Sequence, residues 1–412
     1  MSWTSRTEEP ALAGATGGAC RPTRWLVGID AVRGLALIGL ILVQILPGYD
    51  DATQESSWSH FVSPGDVVAL FALLAGVGLA LSSGGRFPHT GRWLAADRVG
   101  VAVRAVLIVV VGLGIGALLP AVAPADNLLI YYGVFLLLAI PFLHLSATAL
   151  FVCAAVSWIV GPLLIQGLMG VLPAYTFSNP TFTGVMEEPA GTAFQLLATG
   201  TYSALPYLTY LLVGLGLGRV HLRDTGIQGR LLTVGAALVI SAQTISAFVS
   251  YAFGGYDRSL TTGGIGENKP AQVLVWGPDS LPTDTAWSLA ITTPHTNPLW
   301  GIAASLGVGL LVLGSFLLVS QQFGAWLLPL SAMGAMALTL YTAHLVALSF
   351  QATYDRPHLW YVIHLVVAAL LAVTWQRALG RGPLERVLST SVEATRRTVL
   401  HRPYRSHWLH RM

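Results

Sequence analysis

The sequence predicts an all-α protein, a polytopic membrane helical bundle of about 10 transmembrane helices. Hydrophobic residues make up 54% of the 412 residues and charged residues only 10%, whereas a soluble domain carries about 25% charged residues. There is too little charge to cover the surface of a soluble protein of this length. The apolar runs are continuous and do not alternate with polar residues. This pattern favours helices over a β-barrel, because backbone groups in lipid must be hydrogen-bonded within their own segment.

The individual helices are predicted from apolar stretches of about 20 residues, the length that crosses a bilayer. These stretches are 26–47, 64–83, 99–120, 127–143, 146–169, 201–218, 230–252, 298–320, 327–349 and 358–376. The stretch 127–143 is short for a full span. We expect few interrupted helices among them.

The two ends of the chain differ from the apolar part between them. Residues 1–24 are polar and lack the apolar core of a signal peptide, which predicts a disordered cytoplasmic tail. Residues 25–380 form the predicted transmembrane domain. Residues 381–412 are rich in arginine and predict a basic cytoplasmic tail that lies against anionic lipid headgroups.

The distribution of basic residues predicts the orientation in the membrane. With a cytoplasmic N-terminus, all but three of the 22 basic residues fall on the cytoplasmic side. The exceptions are Arg258, Lys269 and Arg356. We therefore expect a multi-pass protein of the cell membrane with both termini in the cytoplasm. The longest polar connections, 48–63, 170–200 and 253–297, then face outward, and loops of that length usually carry function or are disordered.

The first predicted helix carries three polar side chains on one face. Asp30 and Arg33 are three residues apart, and Gln44 follows Arg33 by three helical turns, about 16 Å further along the axis. Polar and ionisable residues within a span are costly and mark a pathway or site by default. The alternative is that Asp30 and Arg33 only anchor the helix at the headgroups.

The stretch 29–37, with the sequence IDAVRGLAL, resembles the opening of the heparan-alpha-glucosaminide N-acetyltransferase-like membrane acyltransferases and their bacterial relatives. Four later stretches are similar to the same group: 127–134, 211–219, 293–298 and 336–344. The resemblance implies that the transmembrane domain is acyltransferase-like. It also implies transfer of an acyl group, in this family an acetyl group, from cytoplasmic acyl-CoA to an acceptor across the membrane. The implied acceptor is an extracytoplasmic glycan or a lipid-linked sugar.

Two positions depart from the patterns of these groups. Gln44 stands where the broader group with an Arg-x10-His signature has histidine. Glu55 stands near the position where relatives of the lysosomal enzyme have a histidine shortly before a tryptophan, here Trp58, and His60 lies beyond it. The general base of an acyl transfer must therefore come from another position.

Histidine is the usual general base near neutral pH. Five of the 11 histidines lie in outer loops or outer helix halves: His60, His295, His344, His358 and His364. His295 is the first candidate because it lies between two prolines at a helix entrance. His60 and His344 are further candidates, and His344 needs a partner at its depth in the membrane. Packing at the membrane interface is the alternative for each of them.

Two further site residues are predicted near helix ends. Pro64 and Asp66 mark the start of the second helix, where a carboxylate favours the positive end of the dipole. The resemblance adds that Asp66 could orient a catalytic histidine. On the cytoplasmic side Arg33, Arg98 and Arg104 could bind the phosphates of acyl-CoA. The simpler alternative is the ordinary excess of arginine on that side.

No metal site is expected, because the two cysteines, Cys20 and Cys153, are far apart and lie outside any ligand motif. No basic patch indicates nucleic acid. The expected partners are membrane lipids and the glycan or glycolipid acceptor, and self-association is left open. Three other functions remain as alternatives: a glycosyltransferase using a polyprenyl-phosphate sugar, suggested by Asp50 and Asp51, a transporter or flippase, and a non-catalytic membrane subunit.

Overall fold

The computed structural model describes residues 24–46, 49–50, 55–56, 64–120, 126–168, 171, 179–252, 298–350 and 356–401. In the first half of the chain the helices are α1 (Arg24–Ile45), α2 (Pro64–Ser82), α3 (Gly91–Leu118), α4 (Leu128–Ala139), α5 (Ala147–Leu168), α6 (Phe182–Glu187) and α7 (Pro189–Phe194). The remaining helices are α8 (Ala204–Leu217), α9 (Thr225–Ala252), α10 (Leu299–Phe323), α11 (Leu328–Ala335), α12 (Ala337–Ser349), α13 (Pro357–Leu379) and α14 (Pro383–His401).

Three short elements complete the described chain. Tyr49–Asp50 and Glu55–Ser56 form two antiparallel strands, β1 and β2, just after α1. A 3-10 turn, Ile140–Phe142, extends α4. A π-helical turn, Gln195–Thr199, follows α7 directly.

The predicted polytopic helical bundle is confirmed. Within the described residues, seven helices are long and apolar enough to cross a membrane, and the number rises to nine if each of two bent helix pairs counts as one span. The remaining predicted stretch, 127–143, contains α4 and is a shorter apolar helix. Every apolar stretch that was predicted therefore forms helix, but not every one forms a straight full span.

Two spans in the described part of the chain are interrupted. α7 with its π-helical turn meets α8 at 54°, and α11 meets α12 at 77°. At the first break Gly200 lies against Tyr131, where an added Cβ would collide with the tyrosine hydroxyl. Such close tertiary contacts are absent from the hydropathy pattern, which is why it indicated continuous helices.

The second break follows a backbone-to-backbone crossing of α11 with α1. An added Cβ at Gly334 would collide with the carbonyl oxygen of Asp30, and one at Gly34 would collide with that of Leu330. Small residues at such crossings let membrane helices approach closely. The crossing fixes α12 relative to α1, and these two helices carry the main polar cluster.

The predicted connections also differ from the structure. The segment 170–200, predicted as a loop, contains α6, α7 and the π-helical turn. α3 begins at Gly91, eight residues before the predicted start. Residues 253–297 lie outside the described part of the chain.

The helices divide into central and peripheral ones. α1 and α2 are mostly buried inside the bundle, whereas α9 and α13 are mostly exposed on its outside. Their apolar exposed faces suit contact with lipid. Polar side chains on α1 and α2 therefore point into protein and need protein partners.

α14 lies within the segment predicted as a basic tail and packs across α3 and the start of α12. Its Arg396 forms an ion pair of 2.7 Å with the buried Asp97 of α3, which also bonds His89 at 2.7 Å. Its Glu385 accepts a hydrogen bond of 2.5 Å from the Thr339 hydroxyl. Arg92 donates to the carbonyl of Leu400 at 2.7 Å and so caps the end of the helix.

Candidate functional site

A buried hydrogen-bond network joins α1, α12 and the connection before α4. The Gln44 amide nitrogen donates to the Asp126 carbonyl at 2.9 Å and to the Tyr341 hydroxyl at 3.0 Å. The Tyr341 hydroxyl donates to the same carbonyl at 3.1 Å and accepts from the Leu128 amide at 3.2 Å. Gln44 and Tyr341 are each only 4% exposed. Loss of any one of these hydrogen bonds would therefore leave a buried polar group without a partner, which is costly.

The network determines which nitrogen of His344 carries the proton. Because both donor directions of the Gln44 amide group face acceptors, its oxygen must accept, and it lies 3.1 Å from Nε2 of His344. The bond therefore assigns the proton to Nε2 and leaves Nδ1 with a free lone pair. Nδ1 is buried, and no described residue hydrogen-bonds it. His344, at 5% exposure, therefore has one ring nitrogen with the lone pair of a proton acceptor.

A second imidazole lies beside the first. The ring of His364, on α13, is perpendicular to that of His344 with the centroids 4.9 Å apart. Its Nδ1 is also buried without a hydrogen-bond partner among the described residues. Two adjacent rings thus have unused nitrogens at the same place in the bundle.

The Asp126 carbonyl is held in position by its neighbour Asn127. The Asn127 amide nitrogen donates to the Gly112 carbonyl at 2.6 Å, and its side-chain oxygen accepts from the Leu129 amide, capping α4. Its backbone amide donates to the Asn179 side chain at 2.7 Å. These bonds fix the backbone of the connection before α4 and, with it, the position of the Asp126 carbonyl.

The Asp126 carboxyl itself faces the break before α8. Burial raises the pKa of this carboxyl, and a hydrogen bond with Thr201 opposes part of that effect. Tyr202, next along the chain, is 3% exposed and packs edge-to-face on Tyr131 with centroids 5.7 Å apart. The break between α7 and α8 thus places the polar side chains of Thr201 and Tyr202 close to Asp126.

A row of tyrosines continues from there to Asp66 on α2. Tyr202 and Tyr207 are 6.1 Å apart between ring centroids, and Tyr207 and Tyr210 are 5.4 Å apart. Ser305 of α10 hydrogen-bonds both Tyr210 and the Asp66 carboxyl. Asp66 lies in the first turn of α2, as the sequence predicts. The row connects Asp66 with the region around Asp126 through aromatic hydroxyl-bearing side chains.

The other predicted site residues lie elsewhere. Arg33 bonds Asp30 at 2.9 Å in the first half of α1, and both side chains are about a third exposed. Arg104 is exposed on α3 and makes no ion pair with a described residue. His60 and His295 lie outside the described residues. The structure thus brings Gln44 and His344 together and places Arg33 nearer the other end of α1.

Sequence reasoning missed Asp126, Asn127 and Tyr202. A signal for the first two was present, since they form a polar pair directly before the apolar run of α4. The described residues contain no group of three or more histidine, cysteine, aspartate or glutamate side chains that could hold a metal ion.

A model of the family described as "Heparan-alpha-glucosaminide N-acetyltransferase, catalytic" matches residues 26–249, which is more than half of the chain. No curated protein matches. The matched part contains Gln44, Asp66 and Asp126 and ends before α12, which carries His344. The match confirms the resemblance inferred from the sequence: the chain belongs to the heparan-alpha-glucosaminide N-acetyltransferase catalytic family of transmembrane acetyltransferase-like proteins.

Proposed function

We propose that this protein transfers an acyl group, an acetyl group in the first instance, from acyl-CoA to an amine or hydroxyl of a glycan or lipid-linked sugar. We assign His344 as the general base. The observation that supports this role is the pairing of Nε2 with the Gln44 oxygen, which leaves Nδ1 unprotonated and without a described partner. Membership of the acetyltransferase family supports the reaction class.

In the proposed reaction, Nδ1 of His344 removes a proton from the acceptor nitrogen or oxygen as that atom attacks the thioester carbon. A bond forms between the acceptor atom and the acyl carbon, and the carbon–sulfur bond then breaks. The CoA sulfur leaves as a thiolate and takes up a proton. Gln44 holds the imidazole in orientation throughout, and its oxygen stabilises the charged ring.

The distribution of charge supports one direction of transfer across the membrane. We propose that the basic end, where α1 and α3 begin and α2 and α8 end, faces the cytoplasm. Acyl-CoA would then enter near Arg33, and its acyl group would reach His344 further along α1. The acceptor would approach from the opposite side.

The test uses the purified full chain in lipid nanodiscs with acetyl-CoA labelled in the acetyl group. We expect label to appear on a glucosamine-terminated acceptor or in hydrolysed acetate. His344→Gln should reduce that rate by at least about a hundredfold, within the range for loss of a general base, while acetyl-CoA binding is retained. His358→Gln, a change at an exposed position of α13, is the matched control and should keep the rate. Equal rates for the two variants would contradict the assignment of His344.

One observation favours a transporter as the second candidate. Transporters place binding sites at broken helices, and the described helices include two such breaks. Proteoliposomes with acetyl-CoA inside and acceptor outside separate the two functions. Chemical conversion of the acceptor supports the transferase, whereas movement of unmodified acceptor across the membrane supports transport.

A further inference from the structure

A buried arginine joins three connections at the basic end. Arg219, 3% exposed, donates to the carbonyls of Gly85 and Leu143, each at 2.6 Å, and to the Ser83 carbonyl and hydroxyl at 3.1 and 3.0 Å. One guanidinium group therefore fixes the connection after α2 beside the connection after α4. The side chains that follow these carbonyls, Arg86 and His144, are carried on a rigid support.

Two arginine–histidine pairs lie around this support. A guanidinium nitrogen of Arg86 lies 3.5 Å from both ring nitrogens of His221. A guanidinium nitrogen of Arg98 lies 3.5 Å from Nδ1 of His144. We call Arg86 with His221 and Arg98 with His144 the arginine–histidine pairs.

The arginine–histidine pairs lack an acidic partner in the described part of the chain. The ion pairs found there join Asp30 with Arg33, Asp97 with His89 and Arg396, and Glu393 with Arg397. The nearest acid in sequence, Asp97, is buried and already bonds His89 and Arg396. The Nε of Arg98 is buried and has no described hydrogen-bond partner. Each pair thus places a guanidinium group beside an imidazole, and in the second pair the Arg98 Nε has an unused donor.

Such a pair is suited to an anion. A guanidinium fork and an imidazole can both donate to one phosphate, and an arginine is best matched to phosphate geometry. The ring of Phe87, 5.7 Å from the Arg86 guanidinium carbon, supports that side chain from one side. α5 begins at Ala147 and α9 at Thr225, each shortly after one histidine of the pairs, and the positive ends of their dipoles add to the attraction.

We propose that the arginine–histidine pairs form a phosphate-binding site, distinct from Arg33, that takes a phosphate ester at the basic end of the bundle. The ester comes either from a soluble molecule or from a lipid headgroup, and both present the same chemistry to the pairs. The site depends on no step of the acyl transfer. Its failure is therefore distinguishable from failure of the proposed function, which is measured on His344.

Two probes distinguish the sources. Sodium pyrophosphate is titrated into the full chain in uncharged detergent at low salt, followed by calorimetry. Separately, native mass spectrometry counts the phosphatidylglycerol or phosphatidylcholine molecules that the protein retains from mixed micelles. The variants are Arg86→Gln with His221→Gln, and Arg98→Gln with His144→Gln. Arg397→Gln is the control, because its side chain is exposed on α14 and loses the same charge.

We expect the pair variants to weaken binding of one probe at least tenfold and the control to change it less than twofold. Loss of pyrophosphate binding identifies a soluble phosphate ester. Loss of phosphatidylglycerol retention, with no pyrophosphate binding by the unaltered protein, identifies a lipid headgroup. Binding of neither probe, or equal weakening by Arg397→Gln, overturns the proposal, since diffuse charge would then account for it. If a double variant does not fold, the exposed single change Arg86→Gln decides in the same way.

Discussion

Gln44 and His344 are 300 positions apart in the chain and are joined by a hydrogen bond of 3.1 Å inside the bundle. Gln44 stands where a broader acyltransferase group has a histidine. The position still carries a polar side chain, and here it acts on a histidine of another helix. The amide cannot act as a base, but it sets the tautomer of an imidazole that can. In metal sites, loss of a group that orients a histidine typically costs 10- to 100-fold.

The first prediction concerns this bond. Gln44→Met keeps the length of the side chain but removes both donors and the acceptor, so His344 loses its orientation. We expect acetyl transfer to fall by about 10- to 100-fold with unchanged acetyl-CoA affinity, measured by initial rates and calorimetry. Gln321→Met is the control, since Gln321 bonds Gln228 away from the site at 2.6 Å. A loss of affinity with an unchanged rate would assign Gln44 to donor binding instead.

The second prediction concerns the crossing of α1 and α11. Gly334→Ala places a Cβ against the Asp30 carbonyl oxygen, which is part of a helix and has little room to move. We expect the change to lower the apparent melting temperature in detergent, as overpacking costs about 1–3 kcal/mol. Gly114→Ala is the matched control, because an added Cβ there meets no atom within 4 Å. That control should be neutral or slightly stabilising.

If Gly334→Ala and Gly114→Ala melted at the same temperature, the two helices would not be in backbone contact. Activity of the folded Gly334→Ala fraction gives a second measure, because a shifted α12 would also displace His344. A lowered melting temperature with a normal rate per folded molecule would mean that α12 keeps its place in the folded variant.

The third prediction concerns the pH dependence caused by Asp126. Burial raises its folded-state pKa above the unfolded value of about 3.9, so the folded protein binds more protons in that range than the unfolded chain. Its contribution to stability is therefore greatest below the unfolded pKa and is lost as the pH rises through the folded pKa. Asp126→Asn removes this dependence.

Melting temperatures measured from pH 3 to pH 7 check this sign. We expect Asp126→Asn to gain stability relative to the unaltered protein as the pH rises, and to gain none at the acidic end. Asp224→Asn, at an exposed position at the start of α9, serves as the comparison. Parallel pH profiles for the unaltered protein and Asp126→Asn would show that the carboxyl is well solvated.

The fourth prediction concerns the attachment of α14. Arg396→Gln breaks the ion pair with Asp97, whose side chain is only 3% exposed, and leaves that carboxylate with His89 alone. We expect faster hydrogen exchange in residues 383–401, measured by mass spectrometry. Arg397→Gln removes a pair that is 74% exposed on the arginine side, and exposed pairs contribute little, so exchange should stay the same. Equal exchange in both variants would mean that apolar contacts alone hold the helix.

The bundle was predictable from composition, because each apolar stretch is long enough to mark a helix without knowledge of its neighbours. The breaks at Gly200 and Met336 were not, since they depend on contacts with Tyr131 and α1 that hydropathy does not contain. Gln44 and His344 were each recognisable as buried polar residues. That they meet is a property of the packing of α1 on α11 and α12.

The residues that were not recognised in the sequence also owe their roles to tertiary contacts. Asp126 and Asn127 act through a backbone carbonyl and a helix cap, and neither role depends on a motif. α14 was predicted as a basic tail because its arginines resemble those that bind headgroups. One part of its attachment is the ion pair with a buried acid on α3, Asp97, which is nearly 300 residues away from Arg396 in the sequence.

The hydroxyl of Tyr341 has one proton, and that proton is used on the Asp126 carbonyl. The Gln44 amide cannot pass a proton on, and a carbonyl can only accept. The network behind His344 is therefore closed to proton transport and conducts no charge toward the rest of the bundle. In the proposed reaction, a proton taken up at Nδ1 would therefore leave from Nδ1. The histidine would then return to the departing sulfur the proton it removed from the acceptor, and each turnover would end with the imidazole as it began.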